Sequence, residues 1–273
     1  MASSARITGP SKAESVPTRG LSAYVAELVG TLLLVFAIGA AASANSEVGL
    51  GFTDFVTIGL VHAFALTVLI ATFGRFSGGH FNPAVTVALL ILKKISPANA
   101  IGYIVVQIIG GLLGALVLWL ALASDIQNVA HLGAAAPTSE LIAGKTGIWG
   151  GLIFEGLGVF LLVGAVIATA VAPGGDRRFA PIVIGTALGV ANLIAAPFTG
   201  GALNPARALG PAIVGNSYAG HAGTTHIGPF LVIYIAAPLI FAILAAVLYN
   251  VLLGDDRHRE IREIDTLNEE TVA

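Results

Sequence analysis

The sequence "GGHFNPAVT", residues 78–86, places polar residues and a proline inside a long apolar run, and "TGGALNPARALGP", residues 199–211, nearly repeats it. Asparagine is a preferred helix N-cap, and proline suits the first helical position, where its missing N–H costs nothing. Each Asn-Pro pair therefore predicts the start of a short apolar helix, over 82–92 and 204–214. Eleven residues make a helix of about 16 Å, roughly half the thickness of the hydrocarbon core of a membrane. We therefore expect two half-length helices.

The composition indicates an integral membrane protein. Of 273 residues, 56% are hydrophobic and 10% are charged, and the mean hydropathy is +0.91, whereas a soluble domain carries about 25% charged residues. The formal net charge of −2 argues against a nucleic-acid partner. The sequence contains no cysteine, which excludes disulfides, thiolate metal sites and a cysteine nucleophile.

Six apolar stretches are long enough to cross a membrane as helices, which takes about 17–25 residues each. They cover about 22–44, 55–74, 99–123, 148–172, 180–197 and 228–253. Residues 1–20 contain no apolar segment, so we expect a disordered polar tail and no cleaved signal peptide. Residues 254–273 form a second polar tail, which we expect on the cytoplasmic side.

The distribution of Lys and Arg predicts the orientation. If both termini are cytoplasmic, eleven of the thirteen Lys and Arg residues lie on the cytoplasmic side, in agreement with the positive-inside rule. The two exceptions are Lys145, in an outer loop, and Arg207, inside the second short helix. Six spans return the chain to the side on which it started, so the assignment is self-consistent. We expect a multi-pass protein of the plasma membrane with both termini in the cytoplasm.

The chain also contains an internal repeat. Glu27, in "AELVGTLLLVF", matches Glu155, in "FEGLGVFLLV", and Asn82 matches Asn204. Each half holds three spans and one half-helix, so the two halves insert with opposite orientation. The repeats cover about 21–124 and 148–253. Inverted repeats place their interrupted helices face to face at the midplane, with the functional site between them. The predicted fold is an all-α membrane bundle of six transmembrane helices and two half-helices.

The two Asn-Pro-Ala elements predict the centre of a narrow wet passage. Both half-helices point their N-termini at the bilayer centre, each with about +0.5 of an elementary charge. A central water that accepts hydrogen bonds from both asparagine amides cannot accept a proton from its neighbour, and the dipoles repel cations. The predicted centre comprises Asn82, Pro83, Ala84, Asn204, Pro205 and Ala206. The extended segments before it should supply acceptor carbonyls at Gly78, Gly79, His80, Phe81, Gly200, Ala202 and Leu203.

The phrases "SGGHFNPAVT" and "GGALNPARALGP", with the paired glutamates and the six-plus-two organisation, resemble the major intrinsic protein family of aquaporins and glycerol facilitators. The resemblance covers about residues 21–253. It implies a channel domain over that range, a homotetramer with one pore in each protomer, and no cofactor or metal. It also implies that Glu27 and Glu155 are structural, accepting hydrogen bonds from the half-helix loops. A proton-carrying role, as in a pump, is the alternative for these buried carboxylates.

The resemblance further implies a selectivity filter outward of the centre. Its arginine is the third residue after the second asparagine, Arg207, and its other positions fall at His62, Asn192 and Gly201. Water channels of the family typically have Phe and His at the first two of these positions, and glycerol facilitators have Trp and Gly. We therefore expect a wider, more polar opening, with space at Gly201. A packed core role is the alternative for His62, and a shift of one residue would replace Asn192 by Leu193.

The sequence favours a passive channel for water that excludes protons and ions, with glycerol, ammonia or urea as the alternative solutes. Ala208 stands where glycerol facilitators usually carry Asp, which favours water. A secondary transporter also has inverted repeats, but beyond the paired glutamates the spans hold no acidic cluster for a coupling ion. A membrane enzyme would need clustered ligands or a base, and the outer-loop histidines lack such spacing. The expected partners are water or a small neutral solute, and the lipid bilayer.

Overall fold

The chain is almost entirely helical where its structure is described. The computed structural model describes residues 20–48, 52–137, 147–215, 227–252 and 254. No strand occurs within these ranges. The helices are α1 (Leu21–Val48), α2 (Phe52–Ser77), α3 (Pro83–Ile91), α4 (Pro97–Ala121), α5 (Ser124–Ala130), α6 (Gly147–Val166), α7 (Ala180–Thr199), α8 (Pro205–Val214) and α9 (Ile227–Leu252). α6 continues through a π-helical turn, Ile167–Val171, and α9 contains another, Val232–Ala236.

Six of the described helices are long and apolar enough to cross a membrane, which confirms the predicted all-α membrane fold. They are α1, α2, α4, α6, α7 and α9. α1 runs to Val48 and α2 begins at Phe52, beyond the predicted ends. Apolarity marks only the part of a helix that lies in lipid, so helices that extend past the hydrocarbon core exceed their apolar stretch. Both predicted tails lie outside the described residues, apart from residues 20 and 254.

Asn82 and Asn204 each begin a half-length helix, as predicted. At Asn82 the backbone is extended, with φ −155° and ψ 121°, and Oδ1 accepts a hydrogen bond from Ala84 N at 2.9 Å. Asn204 has φ −158° and ψ 114°, and its Oδ1 accepts from Ala206 N at 2.9 Å. Each side-chain oxygen satisfies an N–H that the helix itself leaves unpaired. This cap lowers the cost of starting a helix inside the membrane.

Glycines bring α8 and the long helices into close contact. A Cβ atom at Gly110 of α4 would come within 2.5 Å of the backbone oxygen of Leu28 in α1. A Cβ atom at Gly111, on the neighbouring face of α4, would collide with the backbone oxygen of Ala206 in α8. Membrane helices associate through close van der Waals packing, which small residues permit. Gly110 therefore lets α4 pack closely on α1, and Gly111 lets it pack closely on α8.

The outer surface of the bundle is apolar, and its interior holds charged side chains. Leu120 and Trp149 are 69% and 65% exposed, whereas Glu27 and Glu155 are fully buried. A soluble protein shows the opposite distribution. The pattern agrees with a lipid-facing wall around a polar interior.

Candidate functional site

A narrow cavity lies between the facing N-termini of α3 and α8. Its volume is about 20 Å³, which accommodates about one water molecule. Its polar lining comprises Asn82, Asn204, His62, His80 and Arg207. The rest of the wall is mainly aliphatic and comes from α1, α2, α3, α6 and α7. A molecule in this cavity therefore meets a few hydrogen-bonding groups along an otherwise apolar wall.

The capping asparagines join the two half-helix loops directly. Asn82 Nδ2 donates to the backbone oxygen of Leu203 at 2.9 Å, and Asn204 Nδ2 donates to that of Phe81 at 2.8 Å. Phe81 and Leu203 have φ values of 47° and 55°, a left-handed conformation that tertiary contacts must maintain in residues other than glycine. A carboxamide carries two N–H groups. One N–H of each asparagine is thus used between the loops, and the other, which has no acceptor among the described residues, is available to a molecule in the cavity.

The predicted row of carbonyl residues lies only partly along the narrow cavity. Three of these residues line it: Gly79, His80 and Ala202. Gly78 lines a wider vestibule that adjoins it. The carbonyls of Phe81 and Leu203 accept the asparagine bonds, and Gly200 lies against Ala135. Some residues of these loops therefore lie along the cavity, whereas the carbonyls of others accept the hydrogen bonds that link the two repeats.

Glu27 holds the loop before α3. Its Oε1 accepts from His80 N at 2.9 Å, and its Oε2 accepts from Phe81 N at 2.7 Å. Gln107 Nε2 donates to the same Oε2 at 2.7 Å and to Thr86 Oγ1 at 2.9 Å. A buried carboxylate is stable only with such partners. Three donors compensate the cost of burying Glu27, and two of them fix the backbone of the loop.

Glu155 holds the loop before α8 in the same way. Its Oε1 accepts from Ala202 N at 2.9 Å, and its Oε2 accepts from Leu203 N at 2.6 Å. The third donor is Thr199 Oγ1, 2.6 Å from Oε1. Both glutamates therefore bind two consecutive backbone N–H groups, which supports the structural role expected of them.

Sequence spacing does not reveal the tyrosines that complete these loops. Tyr103 OH donates to the backbone oxygen of Ser77 at 2.8 Å, and Tyr234 OH donates to that of Thr199 at 2.6 Å. Ser77 and Thr199 both precede a Gly-Gly pair and the capping asparagine at the same spacing. This matched pair of hydroxyl residues is the sequence signal that could have identified the positions whose carbonyls the tyrosines bind. The number of residues between Asn82 and Tyr103 differs from the number between Asn204 and Tyr234, so sequence spacing does not identify the two tyrosines as a matched pair.

His62, Asn192 and Gly201 form a hydrogen-bonded chain beside the cavity. His62 Nδ1 lies 2.8 Å from the backbone oxygen of Ile58, which can only accept, so Nδ1 carries the proton. In a neutral ring this leaves Nε2 as an acceptor, and Asn192 Nδ2 lies 3.4 Å from it. Asn192 Nδ2 also donates to the backbone oxygen of Gly201 at 2.9 Å. The fold thus brings together the filter positions expected from α2, α7 and the loop before α8.

The space expected at Gly201 is filled by Asn192. A Cβ atom at Gly201 would collide with Asn192 Nδ2. Asn192 is fully buried and is not among the residues that line the narrow cavity. Its carboxamide occupies the volume that the absent side chain leaves. The space expected at Gly201 is therefore taken by a neighbouring side chain, and the wider opening stays a prediction.

Arg207 supplies a cation in the first turn of α8. The residue is 2% exposed, and its Nε and Nη1 have no hydrogen-bond partner among the described residues. Asn192 Oδ1 likewise has no partner in the part of the chain that the structure describes. Unpaired buried polar groups are costly. The guanidinium, which lines the cavity, therefore has donors available for a molecule that passes it.

The site offers hydrogen bonds and a positive electrostatic potential to a solute. Within the described ranges, no group of three or more His, Cys, Asp or Glu side chains is placed to hold a metal ion. The carboxylates of Glu27 and Glu155 are engaged by backbone donors. This chemistry suits the passage of a small molecule.

Comparison with known proteins agrees with this geometry. The family model described as "Major intrinsic protein" matches residues 13–249. The chain is 39% identical to "Glycerol uptake facilitator protein-like 6" of Lactiplantibacillus plantarum, over 85% of this chain and 99% of that protein. It is 35% identical to "Aquaporin TIP2-1" of Arabidopsis thaliana, over 92% of this chain and 96% of that protein. Its fold is similar to that in "X-ray structure of the aquaglyceroporin from Plasmodium falciparum", with a TM-score of 0.66 and 21% identity, over 84% of this chain and 95% of that chain.

Proposed function

Because the chain belongs to the major intrinsic protein family, whose members are channels and not enzymes, we propose that it is a passive transmembrane channel for water that excludes protons and ions. The observation that carries the proposal is the cavity of about 20 Å³ at Asn82 and Asn204, which has room for about one water at a time. The relatives include both an aquaporin and a glycerol uptake facilitator-like protein, so the choice of water depends on the site.

Proton exclusion follows from the donors around this cavity. A water that accepts from the free N–H groups of Asn82 and Asn204 has no lone pair left for a proton from its neighbour. The N-termini of α3 and α8 each add about +0.5 of an elementary charge, and Arg207 adds a full charge. A cation therefore meets a repulsive potential in the cavity, whereas an uncharged molecule does not.

We assign selectivity among neutral solutes to His62, Asn192, Gly201 and Arg207. Arg207 donates to the passing molecule, and His62 supplies the wall of the cavity beside it. Asn192 closes the space beside Gly201 to a solute, because its carboxamide fills that space. The closed space, together with Ala208 in place of the aspartate usual in glycerol facilitators, favours water.

Glycerol or another small neutral solute, such as ammonia or urea, is the second candidate. The observation that favours it is that Arg207 Nε and Nη1 have no hydrogen-bond partner among the described residues, so both can donate to a hydroxyl or carbonyl oxygen of a solute. The name of the 39% identical relative from Lactiplantibacillus plantarum, a glycerol uptake facilitator-like protein, supports the same candidate.

The deciding experiment compares water and glycerol flux in vesicles that contain the purified protein. We expect fast osmotic shrinkage with a low activation energy, no requirement for an ion gradient, and glycerol flux close to that of protein-free vesicles. Fast glycerol flux would favour the second candidate, and uptake that requires an ion gradient would contradict a channel. A pH-sensitive dye inside the same vesicles should report no proton flux above the protein-free level.

We further propose a homotetramer in the plasma membrane with both termini cytoplasmic, on the basis of the family and the distribution of Lys and Arg. In this orientation Arg75, Lys94 and Arg177 face the cytoplasm. The chain lacks cysteine, so a Lys94→Cys variant carries a single thiol. A membrane-impermeant thiol reagent should label it only from the cytoplasmic side, and native mass spectrometry should give four chains per particle.

A further inference from the structure

A wide vestibule adjoins the narrow cavity on the side that we expect to face the cytoplasm. Its volume is about 590 Å³, which is in the range of small-molecule binding sites. It shares Gly79, His80 and Val85 with the lining of the narrow cavity. A molecule held in the vestibule therefore lies across one entrance to the passage.

Three cationic side chains from separate elements line this vestibule. Arg75 lies in the last turn of α2, Lys94 follows α3, and Arg177 lies in the loop between α6 and α7. In the part of the chain that the structure describes, its lining contains no Asp or Glu. Among the described residues, none of the three cations forms a salt bridge. The vestibule thus concentrates positive charge that no carboxylate among the described residues of its wall offsets.

The acid nearest in sequence is already engaged. Asp176 precedes Arg177, but Arg178 binds its carboxylate, with Nε 3.0 Å from Oδ1 and Nη2 2.8 Å from Oδ2. These hydrogen bonds lower the pKa of Asp176. Its carboxylate therefore stays ionised, and paired with Arg178, at a lower pH than an ordinary aspartate. Arg177 therefore keeps its charge for the vestibule.

We propose that the vestibule binds a soluble anion that carries several negative charges on phosphate groups, and that the bound anion obstructs the passage. A monovalent ion offsets one cation only, whereas a polyphosphate can approach several at once. Guanidinium groups bind phosphate oxygens through paired N–H donors, and lysine adds a point charge. The obstruction, though not the binding, rests on the proposed function as a water channel.

The binding test uses pyrophosphate and the purified full-length protein in nanodiscs of neutral lipid, followed by isothermal titration calorimetry. The test variant combines Arg75→Gln, Lys94→Gln and Arg177→Gln. The matched control is Lys93→Gln, which removes an exposed cation that adjoins Lys94 and does not line the vestibule. We expect the wild type and the control to bind alike and the triple variant to bind at least about tenfold more weakly. Absence of binding to the wild type, or equal binding to the triple variant, would overturn the proposal.

The single variants keep the test decisive if the triple variant does not fold. Each of Arg75→Gln, Lys94→Gln and Arg177→Gln should weaken pyrophosphate binding by about two- to threefold, because each exposed cation contributes a modest, salt-screened attraction. Unchanged affinity in all three would place the bound anion elsewhere and overturn the assignment of this site.

Water flux separates this inference from the proposed function. Flux of the wild type without anion tests the channel alone, and the calorimetric titration stands whatever that flux is. Pyrophosphate on the vestibule side should slow water flux through the wild type and through Lys93→Gln, and should leave the triple variant unchanged. Sodium chloride at equal ionic strength should not slow the wild type, because it screens the cations without bridging them. Binding without any slowing of flux would overturn the obstruction.

Discussion

Before α3, Glu27 accepts the backbone N–H groups of two consecutive residues, and before α8, Glu155 does the same, with all four distances between 2.6 and 2.9 Å. Each capping asparagine then donates across to the backbone of the other loop. A tyrosine from a neighbouring helix closes each loop from outside. The backbone support of the two half-helices is therefore duplicated.

The side chains that the two loops present to the interior differ. Thr86, in the first repeat, lies within hydrogen-bond distance of Gln107 and His80, so the polar groups there bond largely to one another. The matching residue in the second repeat is Ala208, and the residue before it is Arg207, with two donors unpartnered among the described residues. The scaffold is therefore symmetric, whereas the cation with donors left over for a solute, Arg207, lies in the second repeat.

The largest effect is expected when either glutamate becomes an amide. Glu27→Gln and Glu155→Gln each replace one acceptor oxygen by an NH₂ group, which then faces a backbone N–H. The backbone N–H and the new NH₂ group are then two buried donors without an acceptor, which costs about 1–3 kcal/mol each. We expect each variant to lower the free energy of unfolding in mixed micelles by about 4 kcal/mol and to abolish water flux. A large loss at one position only would break the equivalence of the two loops.

Alanine substitutions at two matched glycines should destabilise the protein less than the amide substitutions, and by different amounts in the two loops. Gly79 and Gly201 precede their asparagines at the same spacing and have φ values of 68° and 57°. A Cβ atom at Gly79 would meet nothing closer than 3.4 Å, whereas at Gly201 it would collide with Asn192. We expect Gly79→Ala to cost about 1 kcal/mol, for left-handed strain, and Gly201→Ala about 3 kcal/mol, because overpacking adds to that strain.

A double variant tests the cause of that difference. Asn192→Ala removes the side chain that the new Cβ atom would strike and leaves a contact of 3.2 Å with Ala196 N. In the Asn192→Ala background, Gly201→Ala should therefore cost about 1–2 kcal/mol, close to the cost at Gly79. Unfolding in mixed micelles of the single and double variants measures the coupling. Equal costs at the two glycines in the wild-type background would contradict the account of the filter given above.

The half-helices could be predicted because their cause is local. An Asn-Pro pair fixes a helix start through one side-chain hydrogen bond and one constrained φ, and the length of the following apolar stretch shows that each helix is too short to span. The helix ends at Val48 and Phe52 could not be predicted, because hydropathy does not mark where a helix ends outside the lipid. Sequence therefore determined the elements better than their boundaries.

The contacts within the site depend on residues distant in sequence, and these were predicted less well. Which carbonyl Asn82 binds is decided by a loop 121 residues away, and no motif encodes that pairing. That Asn192 occupies the space beside Gly201 could not be predicted, because the rotation of α7 that points Asn192 there has no local signature. Residue types and spacing identify candidate positions, but the packing of neighbouring helices decides which of them face the passage.

Arg207→Val gives the second repeat the residue that the first repeat has at Val85, and it should change selectivity by a moderate amount. The variant loses the cation and its free donors. We expect water flux to persist and the proton permeability to rise by about tenfold, since a single charge a few ångströms away contributes on the order of 1–4 kcal/mol to the barrier for a cation. Glycerol permeability should also rise, because valine is shorter than arginine and leaves a wider opening. Val85→Ala is the matched control and should leave proton flux unchanged. An Arg207→Val channel as proton-tight as the wild type would show that the half-helices alone exclude ions.

The smallest effects are expected when the two tyrosines that bind the loops are replaced by phenylalanine. Tyr103→Phe and Tyr234→Phe each remove one neutral hydrogen bond to a loop carbonyl, so each should lower the free energy of unfolding by about 1 kcal/mol. Their effects on transport should differ, because the carbonyl that Tyr234 binds belongs to Thr199, two residues before Gly201 of the filter. Glycerol flux should therefore rise slightly in Tyr234→Phe and stay unchanged in Tyr103→Phe. An equal rise in both variants would mean that the loop before α3 also sets the width for solutes, and that selectivity is shared between the repeats.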